Sequence, residues 1–407
     1  MKRESLKFLH LADLHLGCSF IGGRLRLPVE KARIRESEQQ QVLARAIDFA
    51  AEQEVELILI AGDLWEETGL GRDLVAFVME TLAGARAPVV IAPGNHDFYA
   101  PGSHYSDEIA RLMTGKPWHD KIYIIRSYEF AGFEIPDLPG VSITGAAYHS
   151  RQSDEVRPLG KPLGNHNSDI NICIFHGTRD GNLPPGKLRT LPFSDEELLS
   201  QSFDYTALGH FHTQALIADR DGRVRAAYPG SSFALAVDEE GPHGCLVGTI
   251  RKGGVHPAEI ALEPFDPRRI YRIRIDVTGL KNSAEVERDI ADNLIRQKVR
   301  KDDMALVELA GFFPCEQKLQ FSDRFLSAHC FHLEVDASSV KPEWDIAGID
   351  IEHARTTEEL FKVRLKSLID QAQAEKDGIA AARLKNALYY GLDALHNQPI
   401  LPRRTLA

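Results

Sequence analysis

Cysteine is scarce in this chain of 407 residues. The cysteines are odd in number and lie far apart, at Cys18, Cys173, Cys245, Cys315 and Cys330. A disulfide framework needs paired cysteines in an oxidising compartment, so this pattern favours reduced thiols in a cytoplasmic protein. Stability must therefore come from hydrophobic cores, and the length suggests two or three domains.

Long apolar runs are also missing. No stretch approaches the roughly 18 consecutive apolar residues that a membrane span needs, so we expect no membrane association. The apolar start of the chain, "LKFLHLADLHLG", is interrupted by His10, Asp13 and His15. This interruption predicts a strand rather than a secretory signal.

An excess of positive charge is absent as well. The formal net charge is -11, which argues against a protein that coats nucleic acid along its whole surface. The stretch "GGRLRLPVEKARIR" is locally basic, with Arg24, Arg26, Lys31, Arg33 and Arg35. Two interpretations stay open: a solvated loop and helix start, which charge alone favours, or a groove that holds a phosphate backbone.

Up to about residue 265, short apolar runs alternate with helical patterns. Several runs are apolar on consecutive residues, as strands buried on both faces are: "LKFLHL", "VELILIAG", "PVVIAPG", "VSITGAA", "INICIFHG" and "YTALGH". Between the first two, Val42, Ala46, Phe49 and Ala50 fall on one helical face. The alternation predicts a layered α/β domain over residues 1–265.

Prolines in "LEPFDPRRIYRIRIDVTGL" mark a predicted boundary. Residues 266–345 follow as a small α+β unit, and residues 346–407 are helical. Two apolar stripes run along this helical part, on Phe361, Leu365, Leu368, Ile369 and Ala372 and on Leu384, Leu388, Leu392 and Leu395. The stripes either pack on the chain itself, the more common outcome, or dock onto a partner.

Polar side chains follow five predicted strands at the point where each strand ends. They are Asp13 and His15, then Asp63, then Asn95, His96 and Asp97, then His176, and last His210 and His212. The loops at the carboxyl ends of α/β strands converge on one crevice, and an i, i+2 spacing points two side chains the same way. One such strand end is more often structural, but the whole ordered set predicts a metal site.

The ligand types narrow the choice of metal. Two Asp, one Asn and four His, without thiolates, suit Mn²⁺, Fe²⁺ or Zn²⁺. This set exceeds what one ion takes from protein. Two ions that share a carboxylate would use all of it and leave positions for water and substrate.

The ordered set "DLH", "GD", "GNHD", "H" and "GHFH" resembles the signature of the calcineurin-like metallophosphoesterases, over roughly residues 6–250. The resemblance implies an α/β four-layer sandwich, with two sheets flanked by helices; here an α+β capping domain and C-terminal helices follow. It also implies two divalent ions, most simply Mn²⁺, with Fe²⁺, Zn²⁺ or Mg²⁺ as alternatives. Carried over by position, the first ion takes Asp13, His15 and His212, the second takes Asn95, His176 and His210, and Asp63 bridges them.

The same resemblance implies the chemistry of a metal-dependent phosphoesterase. A hydroxide that bridges the two ions attacks the phosphodiester in line. His96 acts as general acid toward the leaving-group oxygen, or stabilises charge on the phosphoryl group. Asp97 either orients His96 or has a structural role in the turn.

The opening "FLHLADLHLG" is most similar to the first motif of the bacterial DNA repair exonucleases, the SbcD- and YhaO-like branch. This likeness implies an exonuclease or endonuclease acting on DNA, with the C-terminal helices on an SMC-like coiled-coil ATPase. Because Arg24, Arg26, Arg33 and Arg35 follow the first metal motif closely, we expect them to contact the substrate. One motif departs from the branch. Where many of its nucleases follow Gly-Asp with a His and an Arg-Pro pair, this chain reads "GDLWEETGLG", which puts duplex exonuclease action in doubt.

Other functions remain open at this point. A small-molecule or nucleotide phosphodiesterase or phosphatase of the same fold is the main alternative, with the extra domain used for oligomerisation, for example in a homodimer. A non-catalytic scaffold is a further alternative, and the intact ligand set argues against it.

Overall fold

The computed structural model describes residues 2–21, 25–66, 70–150, 157–163, 168–181, 190–315, 317–344 and 354–396. The chain forms two compact units, Met1–Tyr271 and Arg272–Ala407. Across the described ranges, no helix combines the length and the apolar character that crossing a membrane requires.

The first unit alternates strands and helices, as the apolar runs predict. Its strands are β1 Ser5–Leu11, β2 Leu57–Ile60, β3 Val89–Ile91, β4 Ile122–Ile124, β5 Ala131–Glu134, β6 Val141–Gly145, β7 Ile170–His176, β8 Tyr205–Gly209, β9 Ala215–Ala218, β10 Val224–Tyr228, β11 Gly244–Arg251 and β12 Gly254–Pro264. Its helices are α1 Val29–Glu52, α2 Arg72–Ala83, α3 Asp107–Thr114 and α4 Asp195–Leu199.

All these strands belong to one 12-stranded sheet in the order β4-β3-β2-β1-β11-β12-β10-β8-β7-β6-β5, with β9 paired to β10. Strands β1 to β4 run parallel, as do β6, β7, β8 and β10. The α/β fold class is therefore confirmed. The two predicted sheets are joined into one, because the antiparallel strands β11 and β12 connect the two parallel halves.

The two parallel halves pack against each other although β11 and β12 separate them in the sheet. One buried cluster contains Phe8 of β1 together with Tyr205 of β8, whose ring centroids lie 4.6 Å apart. The Tyr205 hydroxyl also lies 3.0 Å from His10 Nδ1. This packing folds the sheet over and brings the carboxyl ends of β1, β2 and β3 close to those of β7 and β8.

Arg35 of α1 departs from the expectation of a substrate-binding arginine. Its side chain is fully buried and pairs with Asp266 through both terminal nitrogens, at 2.9 Å each. The guanidinium also stacks on Phe233, 3.6 Å from the ring centroid, and donates to the Ala234 carbonyl. The sequence could not show this, because Asp266 lies far away along the chain. Arg35 joins α1 to the segment that follows β12.

The second unit has a three-stranded sheet in the order β13-β14-β15. The strands are β13 Ile270–Asp276, β14 Met304–Pro314 and β15 His332–Glu343, and the helices are α5 Ser283–Arg296, α6 Asp323–Ala328, α7 Thr357–Ala374 and α8 Gly378–Leu395. In α5, Val286, Ile290 and Leu294 are the buried residues, as the spacing predicts.

Helices α7 and α8 cover much of their apolar surface within this unit. Ile369, Leu388 and Leu392 form a buried cluster with Trp344, and the Trp344 indole donates to Asp393 at 2.9 Å. This contact places both helices in the same unit as the sheet, whereas the sequence divides residues 266–345 from 346–407. The geometry favours the interpretation in which the stripes pack on each other and on the chain itself.

We expect Arg35→Met to lower the free energy of unfolding by about 3–5 kcal/mol, because it leaves the Asp266 carboxylate buried beside α1 without its cation. Arg33→Met is the matched control, since Arg33 lies on the same helix but is exposed; its cost should stay below about 0.5 kcal/mol. Urea titrations of both variants measure the difference, and equal losses would contradict the structural role of Arg35.

Candidate metal centre

The residues predicted to bind metal lie where the sequence placed them, after the strands. Asp13 and His15 follow β1, Asp63 follows β2, Asn95 follows β3, His176 ends β7, and His210 and His212 follow β8. The fold of the sheet then brings the two sets together. The ligand atoms of Asp13, His15 and His212 lie within 4.8 Å of one another, as do those of Asp13, Asp63 and His176.

Asp63 lies between the two sets. Its Oδ2 is 3.2 Å from His176 Nε2 and 3.6 Å from His15 Nε2. Asp13 Oδ1 lies 4.0 Å from both His176 Nε2 and His212 Nε2. A carboxylate placed among imidazoles from both halves of the sheet has the position of a bridging ligand.

Three of the histidines are held through Nδ1, so that Nε2 is the nitrogen left for the centre. His15 Nδ1 pairs with Glu66 Oε1 at 2.9 Å, and His212 Nδ1 pairs with Glu239 Oε1 at 2.6 Å. His176 Nδ1 donates to the Ala61 carbonyl at 3.0 Å. Such outer partners fix the tautomer and the ring orientation of metal-binding histidines.

Among the described residues, His15 Nε2 and Asn95 Oδ1 are buried without a hydrogen-bond partner, and His176 Nε2 has none of good geometry although Asp63 Oδ2 lies 3.2 Å away. A buried polar atom without a partner costs about 1–3 kcal/mol. All three are ligand atoms that divalent metals accept, so the residues present fit a metal centre. His210 differs, because its Nε2 lies 3.3 Å from Thr190 Oγ1 and Nδ1 is the nitrogen that remains.

The backbone of the metal loops is strained at the ligands. Asp13, His15, Asp63 and His210 have φ of 52°, 49°, 51° and 110°, a region that non-glycine residues seldom occupy. Neighbouring loops also approach closely: a Cβ at Gly94 would lie 2.2 Å from Asp63 Oδ1. The Gly before Asn95 therefore allows the third strand end to reach the bridging carboxylate.

The pKa values of several groups at the centre are shifted strongly from their usual range in the absence of metal. Burial tends to raise the pKa of Asp63, but His176, His15 and His96 hold it well below its usual range. Burial tends to lower the pKa of His176, and the Asp63 and Asp13 carboxylates raise it to about 9. For His210, burial and the neighbouring His176 lower the pKa to about 3. A metal ion would therefore compete with a proton on His176.

Glu66 is a functional residue that the motif comparison missed. Its carboxylate joins two histidines, with Oε1 on His15 Nδ1 and Oε2 3.0 Å from His96 Nδ1. Burial raises the pKa of Glu66, but the hydrogen bonds to His15 and His96 lower it to about 2. One signal in the sequence could have indicated Glu66. It lies three residues after Asp63, in the motif where this chain lacks the His that many nucleases of the branch carry.

Asp97 does not orient His96. Its Oδ1 accepts from the backbone N–H groups of Gly94 and Asp63, at 2.6 and 3.1 Å. Its Oδ2 accepts from the Leu64 N–H and the Tyr105 hydroxyl. Asp97 is buried, so its carboxylate ties the loops after β2 and β3 together. This is the structural role that the sequence left as an alternative.

Two further residues support the centre from outside. Glu239, in the β-rich segment before β11, holds His212 and also accepts from Ser231 Oγ and the Leu235 N–H. Gln39 of α1 donates to the carbonyls of Leu14 and His15 at 2.6 and 3.1 Å. Neither has a motif around it, and only the folded chain brings them to the metal loops.

The basic stretch is divided by the structure. Arg26 and Arg33 are exposed, Arg35 is buried and paired, and Arg24 lies outside the described residues. Two of the predicted substrate-binding arginines are therefore accessible to a ligand.

A comparison with known families identifies the chain. The profile of the calcineurin-like phosphoesterases matches residues 6–214, which include all seven candidate ligands. The chain belongs to this family. Family members are metal-dependent phosphoester hydrolases whose fold binds two divalent metal ions, in agreement with the ligand groups described above.

Individual relatives are more distant. The chain is 27% identical over 312 residues to the metallophosphoesterase YhaO of Bacillus subtilis, whose function is uncharacterized; the match covers 73% of this chain and 69% of YhaO. Among solved structures, TT1561 of Thermus thermophilus is 14% identical with a TM-score of 0.35, covering 60% of this chain and 98% of its own. A dimetal phosphatase from Danio rerio is 14% identical with a TM-score of 0.36, covering 65% and 100%.

Asp63→Ala and His96→Gln form a matched pair that separates ligand from non-ligand. We expect Asp63→Ala to lose both metal ions, because the carboxylate lies between the two ligand sets. We expect His96→Gln to keep them, because the His96 ring groups with His15 and Glu66 rather than with either set that contains Asp13. Metal content after dialysis, measured by plasma mass spectrometry, checks both.

The rates of the same variants complete this test. His96→Gln should lower kcat about 10²–10⁴-fold with metals retained, the range for a lost general acid. Loss of metal from His96→Gln, or full metal content in Asp63→Ala, would contradict these assignments.

Proposed function

We propose that this phosphoesterase is a two-metal phosphodiesterase that cleaves DNA. The observation that carries the proposal is a set of buried ligand atoms that lack a well-aligned hydrogen-bond partner among the described residues, His15 Nε2, His176 Nε2 and Asn95 Oδ1, together with the His96 ring 4.7 Å from the His15 ring. Bound ions would give these atoms partners, and His96 would then be close to a phosphodiester held by the ions.

The residues of this chain have separate tasks in the proposed reaction. Asp13, His15 and His212 would hold one ion, Asn95, His176 and His210 would hold the other, and Asp63 would contact both. When bound, the ions supply positive charge to the phosphoryl oxygens and make water a stronger nucleophile. With its Nδ1 on Glu66, His96 gives the leaving-group oxygen a proton from Nε2.

Support for DNA comes from the basic stretch after the first motif. Arg26 and Arg33 are exposed, and they lie 11 and 18 positions after His15 in the chain. Phosphate contacts by arginine supply much of the affinity of nucleic-acid enzymes. The likeness to the DNA repair exonuclease branch points the same way.

Glu66 favours a second candidate. Where many nucleases of the branch carry a His, Glu66 brings a carboxylate to within hydrogen-bond distance of His15 and His96. Negative charge beside the scissile site disfavours a long duplex more than a short diester. A small-molecule or nucleotide phosphodiesterase is therefore the alternative, and within DNA we favour single-stranded or endonucleolytic cleavage.

The metal and the partners remain predictions. Oxygen and imidazole ligands without thiolate suit Mn²⁺ as the native ion. The apolar surface that α7 and α8 offer for docking to an SMC-like ATPase is smaller than the sequence suggests, because Ile369, Leu388 and Leu392 are buried within the unit. The exposed apolar side chains on these helices are Leu360, Ile379 and Leu395.

A substrate panel tests the function directly. With Mn²⁺, we expect cleavage of single-stranded DNA, hairpins and bis-p-nitrophenyl phosphate, weak action on blunt duplex, and no activity with chelator or in Asp63→Ala. Rapid cleavage of cyclic or dinucleotide diesters without DNA cleavage would favour the second candidate. No turnover of any substrate with both ions bound would favour the scaffold.

The arginines have a test of their own. Arg26→Gln and Arg33→Gln should each weaken binding of single-stranded DNA and reduce the salt slope of log K by about 0.7 per lost phosphate contact. Arg86→Gln is the control, since Arg86 is also exposed but lies in the loop before β3. An unchanged salt slope in both variants would show that these arginines do not contact DNA and would favour the interpretation of the stretch as a solvated surface.

A further inference from the structure

A cavity of about 250 Å³ is lined by Glu66 and Asp97, two residues that contact the metal loops. Phe98, Ser103 and His104 also line it, and the buried Trp65 lies behind them. Pockets for whole small molecules are usually about 300–1,000 Å³. This cavity therefore suits one planar ring system attached to a larger molecule bound outside it.

The aromatic walls are held rigidly. The Trp65 ring is only 2% exposed, so it supports the cavity from behind, 5.0 Å from Tyr105 and 5.6 Å from His104 between ring centroids. The Tyr105 hydroxyl is fixed by Asp97 at 2.6 Å, and the His104 carbonyl accepts from the Trp118 indole at 3.0 Å. A preformed wall of this kind binds a flat ligand without first paying to order its own side chains.

The cavity also offers polar atoms that the protein leaves unused. Ser103 Oγ is buried and has no hydrogen-bond partner among the described residues. The His104 ring makes no hydrogen bond to the described part of the chain, and burial lowers its pKa, so the ring is neutral with one donor and one acceptor. An aromatic slot with unpaired donors and acceptors at its edge is suited to a heterocycle rather than to a hydrocarbon.

Its position relates the cavity to the reaction. Glu66 lines the cavity and at the same time contacts His96 Nδ1, the ring proposed to protonate the leaving group. A group in the cavity is therefore close to the phosphate under attack. In a nucleic-acid strand, the planar heterocycle at that distance is a base next to the scissile bond.

We propose that the cavity of Trp65, Phe98, Ser103 and His104 binds one nucleobase adjacent to the scissile phosphate. This inference rests on the proposed function for the identity of the substrate, but it makes a separate claim about binding. Stacking on aromatic side chains accepts every base, so the cavity would select for a base without selecting its identity.

Binding to uncleaved ligands tests the claim apart from activity. The probe is a thymidine dinucleotide with a phosphorothioate linkage, titrated by calorimetry into the Mn²⁺-loaded full chain. Two further probes replace one or the other base by an abasic tetrahydrofuran residue. We expect loss of one of the two bases to weaken binding by about tenfold or more, as for one base–aromatic stack, and loss of the other to matter less.

Variants locate the effect. Ser103→Ala removes only the unpaired hydroxyl, and His104→Ala removes one wall; both should reduce the preference for the base-containing probe while metal content and affinity for the abasic probe stay unchanged. His119→Ala is the matched control, because His119 is exposed in the same unit and does not line this cavity. It should bind all three probes as the unaltered chain does.

Equal affinity for all three dinucleotides would overturn the inference, as would an unchanged base preference in both cavity variants. Failure of the proposed function has a different result, since the chain would then not cleave DNA whatever its affinity for the bases. If the chain prefers the base-containing probe but does not cleave DNA, the cavity binds a base as proposed, and the substrate is a nucleotide rather than DNA.

Discussion

The buried carboxylate of Asp63 is the contact on which the centre depends. Its Oδ2 lies 3.2 Å from His176 Nε2, which comes from the far half of the sheet, while its Oδ1 accepts from the His96 N–H at 2.9 Å. Its own backbone N–H donates to Asp97. One residue thus connects β7 with the loops after β2 and β3, and the folding of the sheet has to place all of them within a few ångströms.

This arrangement has a stability cost that the rest of the unit offsets. Positive φ at four ligands and three buried ligand atoms without partners are each unfavourable, by about 1–3 kcal/mol apiece. The offset comes from features outside the centre. The core around Phe8 and Tyr205 packs the two halves, Arg35 and Asp266 anchor α1, and Gln39 of the same helix holds the carbonyls of the first metal loop. Metal binding would recover part of this cost, because the ions would give partners to the unpaired lone pairs of these buried atoms.

The carboxylates around the centre divide the work according to their surroundings. Asp13 and Asp63 belong to the candidate ligand groups, Glu66 and Glu239 hold histidines through Nδ1, and Asp97 accepts from backbone N–H groups and a tyrosine hydroxyl. The residue type is nearly the same in each case. What differs is which hydrogen-bond donor lies within about 3 Å of the carboxylate oxygens, and the neighbouring loop determines that donor.

The sequence by itself determined the fold class and predicted the candidate ligand set, because both depend on local patterns. Consecutive apolar residues predict the buried strands, and a polar side chain directly after each strand must lie at the carboxyl edge of the sheet. The apolar spacing in α5 likewise predicted its buried face. Only the tertiary structure decided the roles of Arg35, Glu66, Asp97 and Glu239. Arg35 looks like its exposed neighbour Arg33 until Asp266 is brought beside it, and Glu66 has no meaning until His15 and His96 converge on it. The role of a side chain whose partner is far away along the chain cannot be predicted from the sequence around it, because the folding of the sheet determines which residues become its neighbours.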